Sequence, residues 1–253
     1  MMNRDDFKFE VCANGVESCI AAQEGGADRV ELCAGIPEGG TTPSYGEIKT
    51  ARRLLNTTRL HVIIRPRGGD FLYSPLEIER MADDIRICRD LGVDGVVFGC
   101  LTQDGTIDKN QNEYLMSLAS GMSTTFHRAF DRTVDPLAAM EDIISLGFCR
   151  ILTSGQQPKA IEGTDLLARL HEKAQGGITL LAGSGVDEEN VANIYRATGI
   201  HEYHFSARIS VKSQMRNMCS DVYMGAKGAD EQNLLVTSAQ RVENVIKNLL
   251  SAD

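Results

Sequence analysis

Polar side chains recur at every second position of several short segments whose other residues are apolar. Glu10 and Cys12 alternate with apolar neighbours, and Glu31 and Cys33 repeat the arrangement. Because the side chains of a β-strand alternate between its two faces, each of these segments has one polar face if it is a strand. Three later segments place further acids, cations and imidazoles on a shared face: Arg65 and Arg67; Thr125, His127 and Asp131; Glu202, His204 and Ser206.

Carboxylates, an imidazole and guanidinium groups in one place would support acid–base chemistry on an anionic substrate. The candidate catalytic residues are Glu10, Glu31, Arg65, His127 and Asp131. In this interpretation Glu10 or Glu31 is the general base, and His127 is its acid–base partner. The structural alternative is an interior filled by ion pairs, in which Arg65 lies between Glu10 and Glu31 and neutralises them.

Predicted strands alternate with predicted helices along the whole sequence. The strands are expected near residues 7–12, 28–33, 60–65, 94–99, 124–130, 150–153, 178–182 and 202–206. The helices are expected near residues 15–25, 45–55, 75–91, 110–120, 136–146, 158–175, 188–198 and 233–250. Capping residues mark three helix starts: Ser44 with Glu47, Ser74 with Glu77, and Asp135 before Pro136.

Eight uninterrupted strand–helix units predict an α/β fold with a closed parallel sheet. We expect a single-domain (β/α)8 barrel of the TIM type over residues 1–253. A doubly wound open sheet is the competing fold, but its central strands would be apolar on both faces. The one-sided polar strands therefore favour the barrel.

The segment 210–232 follows the eighth strand and is too long for an ordinary connection. It is expected to form a long loop before the last helix. Apolar residues within it, including Val211, Met215, Met218 and Tyr223, have too much apolar surface to remain free in water. The segment therefore predicts either a subunit contact or a lid over the barrel.

The carboxyl ends of the strands hold the active site in αβ barrels, and loops seven and eight commonly bind phosphate. Gly183 and Gly185 would let the backbone approach an anion beside a helix start, and Arg208 would add a charge-assisted contact. Arg67 and Ser206 complete the candidate anion-binding set for a small anionic ligand. The alternative is a tight glycine turn without a ligand.

Cys12 and Cys33 lie at the ends of adjacent predicted strands, and both side chains are on the polar face of their strand. Their sulfurs would therefore approach each other in the barrel mouth. Two thiolates suit a soft metal such as Cu(I). His127 and His204 would supplement them, although no sequential metal motif enforces this. Soft-ligand candidates in the 210–232 segment, which more often serve packing, are Met215, Met218, Cys219 and Met224.

Composition and charge exclude several classes of protein. Net charge is −9, the isoelectric point is about 5.1 and no basic run occurs, so nucleic acid is not an expected partner. No apolar stretch is long enough to span a bilayer, and the amino terminus lacks signal-peptide features, which predicts a cytoplasmic protein off the membrane. The seven cysteines are scattered without a CxxC pair, so reduced thiols are expected rather than a disulfide framework.

Long motifs in this sequence resemble the CutC family, named for copper homeostasis. They are EVCA (10–13), GGADRVELC (25–33), EGGTTPS (38–44), IRPRGGDFLYS (64–74), DGVVFG (94–99), TFHRAFD (125–131), ILTSG (151–155) and HFSAR (204–208). The resemblance covers essentially the whole chain. It implies a TIM-type barrel, cytoplasmic residence, a homo-oligomer (dimer or tetramer) and a copper-associated role in which Cys12 and Cys33 are Cu(I) ligands.

Overall fold

The computed structural model describes residues 2–217, 222, 224–225 and 230–252. Met218, Cys219 and Tyr223, which the sequence suggests as soft ligands or apolar contacts, lie outside the described residues. None of the helices in the described part of the chain is long and apolar enough to cross a membrane.

Eight parallel strands close into a barrel, because the first strand pairs with both the second and the eighth. The strands are β1 Lys8–Ala13, β2 Arg29–Leu32, β3 Arg59–Ile63, β4 Gly95–Phe98, β5 Ser123–Phe126, β6 Arg150–Thr153, β7 Thr179–Gly183 and β8 Glu202–Phe205. The register places Glu10 beside Arg29 on one side and His204 on the other. The predicted (β/α)8 barrel is thereby confirmed, and an open sheet is excluded.

Helices follow the strands and cover the outside of the barrel. They are α1 Val16–Glu24, α2 Tyr45–Leu54, α3 Pro75–Asp90, α4 Lys109–Leu118, α5 Pro136–Ser145, α6 Thr164–Ala174, α7 Val191–Thr198 and α8 Ala239–Leu250. Both predicted capping boxes form, at Ser44 and Ser74, and Asp135 caps α5. Three helix starts read from the sequence are therefore confirmed in atomic detail.

Three predicted boundaries are wrong. Strand β5 ends at Phe126, and residues 128–132 form a 3-10 turn that begins at His127. Helix α6 begins only at Thr164, after a 3-10 turn over Ala160–Glu162. Residues 233–237, predicted as helix, form strand β10 (Asn233–Thr237), which pairs with β9 (Arg208–Lys212) as an antiparallel ribbon. The segment NLLVT is apolar and lacks a helix cap, which appears only at Ser238.

The barrel strands have apolar outer faces, and several of them, β1 above all, have polar residues on the inner face. On β1, Phe9 and Val11 are completely buried in the core between strands and helices, whereas Glu10 is completely buried inside the barrel. His61 on β3 is equally enclosed, and it lies against Gly95, where a Cβ atom would come within 2.5 Å of the His61 Nε2. Glycine at position 95 thus makes room for an imidazole in the barrel interior.

Ion pairs close the amino-terminal end of the barrel. The Arg29 Nε donates to a Glu10 oxygen, and the Arg29 Nη2 donates to Glu202 Oε2 at 2.8 Å. The Arg150 Nε donates to the same Glu202 oxygen at 3.0 Å. Although burial favours the neutral acid, the charge of Arg29 and contacts with His204 hold the pKa of Glu10 well below its ordinary value. Glu10 is therefore a carboxylate that is already paired at the barrel floor.

Replacing Arg29 with Met is expected to destabilise the protein by about 3–5 kcal/mol, because it removes the only arginine that pairs with the buried Glu10 among the described residues, whereas Glu202 keeps Arg150. Without Arg29 the pKa of Glu10 should rise, so the destabilisation should shrink as pH falls from about 7 to about 5 and the carboxyl takes up a proton. Urea denaturation at both pH values measures this. The control is Arg4→Met at the half-exposed Arg4–Asp28 pair, which should cost roughly 1 kcal/mol or less. A small, pH-independent loss for Arg29→Met would contradict the role given to this ion pair.

Candidate functional site

A cavity of about 470 Å³ opens at the carboxyl ends of the strands. Of the sequence-predicted residues, those that line it are Cys12, Glu31, Cys33, Arg65, His127 and Asp131, together with His204. Glu10 lies deeper, with no exposed surface, and contacts the cavity only through His204. The expected convergence of polar strand faces is therefore present.

Two thiols meet at one side of this cavity. Cys12 lies on β1 opposite Glu31, and Cys33 directly follows β2, where its amide donates to the Ala13 carbonyl. The two Sγ atoms lie 3.9 Å apart, as strand parity predicts. Cys33 is buried and Cys12 is half-buried, so both sulfurs are sheltered but reachable from the mouth.

The two sulfurs differ in protonation. The hydrogen bond with Cys33 is the largest cause that lowers the pKa of Cys12, and contacts with His204 and Arg208 lower it further against the effect of burial. The Arg208 Nη2 lies 3.3 Å from the Cys12 Sγ. The same sulfur–sulfur contact, together with burial, raises the pKa of Cys33 well above its ordinary value. Of the two sulfurs, Cys12 is therefore the one whose thiolate form is favoured.

His204 joins the thiol pair to the carboxylates. Its Nδ1 donates to Glu10 Oε1 at 2.7 Å, and its Nε2 lies 3.6 Å from Glu31 Oε2. Burial alone would favour the neutral ring, but contacts with Cys12 and Glu10 prevail and raise the pKa of His204. Glu31 has no such strong partner: burial raises its pKa to about 8, and its Oε1 has no hydrogen-bond partner among the described residues.

The expected position of Arg65 between Glu10 and Glu31 is wrong. The Arg65 Nη1 donates to the carbonyls of Glu38 (2.9 Å) and Gly40 (2.8 Å), and its Nη2 donates to that of Gly69 (3.0 Å). The reason is positional, since β3 ends at Ile63 and Arg65 therefore stands above the strands in the mouth. Arg29 pairs with Glu10 instead, because the register sets it beside Glu10, and its second partner is Glu202 rather than Glu31.

His127 presents a hydrogen-bond donor at the cavity wall. Its Nδ1 accepts the Ala129 amide at 3.3 Å, which assigns the ring proton to Nε2. Burial, and then the charge of Arg65, lower the pKa of His127 to about 3, so the ring is neutral. Its Nε2 has no partner within the described part of the chain.

Asp131 is an anchor for two loops rather than a free proton acceptor. It accepts from Thr153 Oγ1 at 2.6 Å, from the amides of Ser154 and Gln156, and from Arg128 Nε at 2.8 Å. These contacts tie the loops after β5 and β6 together and orient Arg128 at the cavity edge. The sequence identified Asp131 as a candidate site residue, but it could not show how many hydrogen-bond donors surround the carboxylate.

The predicted anion-binding residues are not among those that line the cavity: Arg67, Gly183, Gly185 and Ser206 lie away from it, and Arg208 reaches its edge only through Cys12. Arg67 pairs with Asp70 and Glu77 at the start of α3. A Cβ atom at Gly183 would lie 2.5 Å from Leu152, so that glycine serves close packing between strands.

Polar groups of the glycine loop after β7 form hydrogen bonds with one another. The Gly185 carbonyl accepts from Asn190 Nδ2 at 2.7 Å, and the Asp187 amide donates to Asn190 Oδ1 at 3.1 Å. Helix α7 begins only at Val191, so no helix start lies at residues 186–187. Sequence position suggested a phosphate loop here, whereas the geometry fits the alternative of a tight glycine turn.

Fold and site together define a TIM-type barrel with a polar, thiol-bearing mouth. Residues 7–209 match the sequence model of the CutC family, and the chain belongs to this family.

Relatives match nearly the whole chain. A CutC family protein of Bacteroides thetaiotaomicron is 61% identical over 246 residues, which cover 97% of this chain and 99% of the relative. The human copper homeostasis protein cutC homolog is 46% identical, over 96% of this chain and 90% of the relative. A crystal structure of CutC from Streptococcus agalactiae superposes with a TM-score of 0.76 at 35% identity, over 79% of this chain and 98% of that chain.

More distant structures share the fold alone. A thiamine phosphate pyrophosphorylase from Pyrococcus furiosus reaches a TM-score of 0.61 at 17% identity, over 97% of this chain and 96% of that chain. A shared barrel at this identity carries no information about activity.

Proposed function

We propose that this protein serves copper homeostasis by binding Cu(I) through Cys12 and Cys33. The observation that carries this proposal is the sulfur pair, 3.9 Å apart, with the Arg208 guanidinium 3.3 Å from the Cys12 sulfur. Soft thiolate ligands select Cu(I). The human and streptococcal relatives carry the words copper homeostasis protein in their names, the streptococcal one as putative, and this supports the same role.

The strand register favours an ion over a disulfide at this position. Cys12 pairs with Glu31, so Cys33 lies two residues further along the neighbouring strand. With strands about 4.8 Å apart and a rise of about 3.3 Å per residue, the two Cα atoms are about 8 Å apart. A disulfide needs Cα atoms within about 7 Å. Two thiolates that hold one tetrahedral Zn²⁺ at about 2.3 Å lie about 3.8 Å apart, so the observed separation of 3.9 Å is in the range of sulfur pairs that share a metal ion.

Further donors surround the sulfurs. One ligand atom each of Cys12, Glu31 and Cys33 lie within 4.8 Å of one another. His127, proposed as a supplementary ligand, is in neither of the potential metal clusters of the described residues, whereas His204 joins Glu10 and Glu31 in the second. The two cysteines are therefore the ligands that the geometry favours. A carboxylate oxygen of Glu31 is the next ligand atom within reach of the same ion.

The double substitution Cys12→Ser with Cys33→Ser is expected to abolish Cu(I) binding, because a hydroxyl is a hard and weakly acidic ligand. Competition against a chromophoric Cu(I) chelator measures the stoichiometry. Cys149→Ser, at the exposed cysteine, is the matched control and should bind as the unchanged protein does. Unchanged stoichiometry in the double variant would sink the site assignment.

A second candidate function is acid–base catalysis on a small phosphorylated or carboxylated metabolite. The favouring observation is that Glu31, with a pKa near 8, and the neutral His127 line the same cavity. Glu31 is the proposed base, since Glu10 is fixed in its ion pair. His127 is the proposed proton donor.

A thermal-shift screen of such metabolites, followed by an NMR assay for conversion, tests this second function. Glu31→Gln should abolish conversion of a stabilising metabolite without loss of its binding, because the amide keeps the shape but cannot accept the proton. Glu38→Gln, at another cavity-lining acid, is the control. The enzyme proposal fails if no anion stabilises the protein while Cu(I) does so stoichiometrically.

We also propose a cytoplasmic homo-oligomer, a dimer or tetramer. The β9–β10 ribbon supports a subunit contact, since Val211 pairs with Leu234 and both are exposed. Ligation of Cu(I) by thiols requires reduced cysteines, which fits the reducing cytoplasm. Cell fractionation tests the proposed cytoplasmic location.

Deleting residues 214–225 should convert the oligomer to monomers in a light-scattering measurement, because the deletion removes the apolar residues beyond the ribbon. An unchanged oligomer with altered ligand binding would instead support the alternative of a lid.

A further inference from the structure

The distance between the two cysteine sulfurs restricts how they can share an ion. The Sγ atoms of Cys12 and Cys33 lie 3.9 Å apart. With metal–sulfur bonds of about 2.3 Å, two sulfurs on opposite sides of an ion would be about 4.6 Å apart, whereas two of three ligands at 120° would be about 4.0 Å apart. The observed separation therefore fits an ion that holds at least one ligand besides the two cysteines.

A soft atom for the third ligand position is missing from the part of the chain that the structure describes. Among its histidines, cysteines and acids, Glu31 alone brings a further ligand atom within 4.8 Å of both sulfurs. None of the described methionines lines the cavity. A carboxylate oxygen is a hard ligand, whereas Cu(I) selects thiolates and thioethers. The third ligand that suits Cu(I) is therefore a sulfur that another molecule brings.

The route to the sulfur pair limits the size of that molecule. Cys33 is only 2% exposed, and the loop after β2 packs against it, since a Cβ atom at Gly40 would lie 3.7 Å from the Cys33 Sγ. The Arg65 Nη1 holds this loop in place by donating to the Gly40 carbonyl at 2.8 Å. Both cysteines line the cavity of about 470 Å³, which is the route that remains. A cavity of this volume suits a small organic molecule and is far larger than a single ion needs.

We propose that the cavity binds a low-molecular-weight thiol whose sulfur is the third ligand of Cu(I) at Cys12 and Cys33. The inference rests on the proposed copper function and names the form in which copper reaches the site, a Cu(I) complex of a small thiol. A third thiolate ligand matches both the spacing of the two sulfurs and the open cavity beside them.

The transfer of copper is a ligand exchange without a change of oxidation state. The two cysteine sulfurs replace one of the two thiolates of the carrier complex. The released thiolate leaves as a thiol with the proton of Cys33, and the other thiolate stays on the ion. One monovalent ion with three thiolates has a net negative charge, which the Arg208 Nη2, 3.3 Å from the Cys12 Sγ, offsets in part.

Native mass spectrometry tests the proposal on reduced protein that is loaded anaerobically with one equivalent of Cu(I) as its glutathione complex and then desalted. Each chain should retain one copper and one glutathione, whereas the Cys12→Ser/Cys33→Ser variant should retain neither. Cys149→Ser, at the exposed cysteine, is the matched control and should retain both. Glutathione added without copper should be lost on desalting, because the ion is what holds the thiol in the cavity.

A second measurement identifies the third ligand without depending on how the variants fold. The unchanged protein is loaded from the Cu(I) complex of reduced selenoglutathione, so that the carrier's ligand atom differs from the sulfurs of the chain. X-ray absorption at the copper edge should then show a shell of two sulfurs and one selenium. A shell of two sulfurs alone, or of two sulfurs and one oxygen, overturns the inference and leaves the copper function in place. Loss of copper on desalting overturns both.

Discussion

The ion pair between Arg29 and Glu10 is the interaction on which the polar interior depends. Arg29 keeps Glu10 ionised in a position that burial alone would make neutral. The ionised Glu10 then accepts from His204 and favours its protonated ring. That ring, with Arg208, favours the Cys12 thiolate. The contact with Cys33 is the largest cause that lowers the pKa of Cys12, and the charge of Arg29 at the barrel floor contributes to the same direction through Glu10 and His204.

The mouth is built from two groups of elements with different stiffness. Cys12, Glu31 and His204 lie on β1, β2 and β8, where the strand ladders fix their positions. Arg65, Phe71 and His127 instead follow β3 and β5, on connections held by side-chain contacts with backbone carbonyls and amides. The first group has the rigidity that a pair of metal ligands needs, since ligand atoms must be held within a few tenths of an ångström. The second group is positioned by loops, which strand ladders do not constrain.

The fold was predictable because its signals are local. Capping boxes and the alternation of strands with helices depend on residues a few positions apart, and both were correct for the barrel, whereas strand parity failed where a predicted strand was too long, as at His127 and Asp131. Parity did identify Cys12 and Cys33 as neighbours. It could not identify the partner of Glu10, since Arg29 and Arg65 both follow the inward parity. Only the register and the end of β3 distinguish them, and neither is encoded in spacing.

The conformation of the loops could not be predicted from the sequence either. The positions of Gly183 and Gly185 after strand seven predict a phosphate loop. Position 183, however, requires a glycine because Leu152 and His204 pack against it. Asn190 takes the donors and acceptors that a phosphate would need. A glycine required by close packing and a glycine required by a ligand look the same in a single sequence. The difference lies in contacts between residues that are distant along the chain.

The alternative of a barrel closed by ion pairs for stability alone accounts for the floor but not for the cavity. At the floor, Arg29 pairs with both Glu10 and Glu202. Buried atoms without a partner among the described residues occur at both levels, at His61 Nδ1 beside these ion pairs and at Glu31, Arg65 and His127 around the mouth. Each unsatisfied buried polar group costs about 1–3 kcal/mol. Within the described residues, the mouth combines such atoms with a cavity large enough for a small molecule, which is the combination that a ligand site needs.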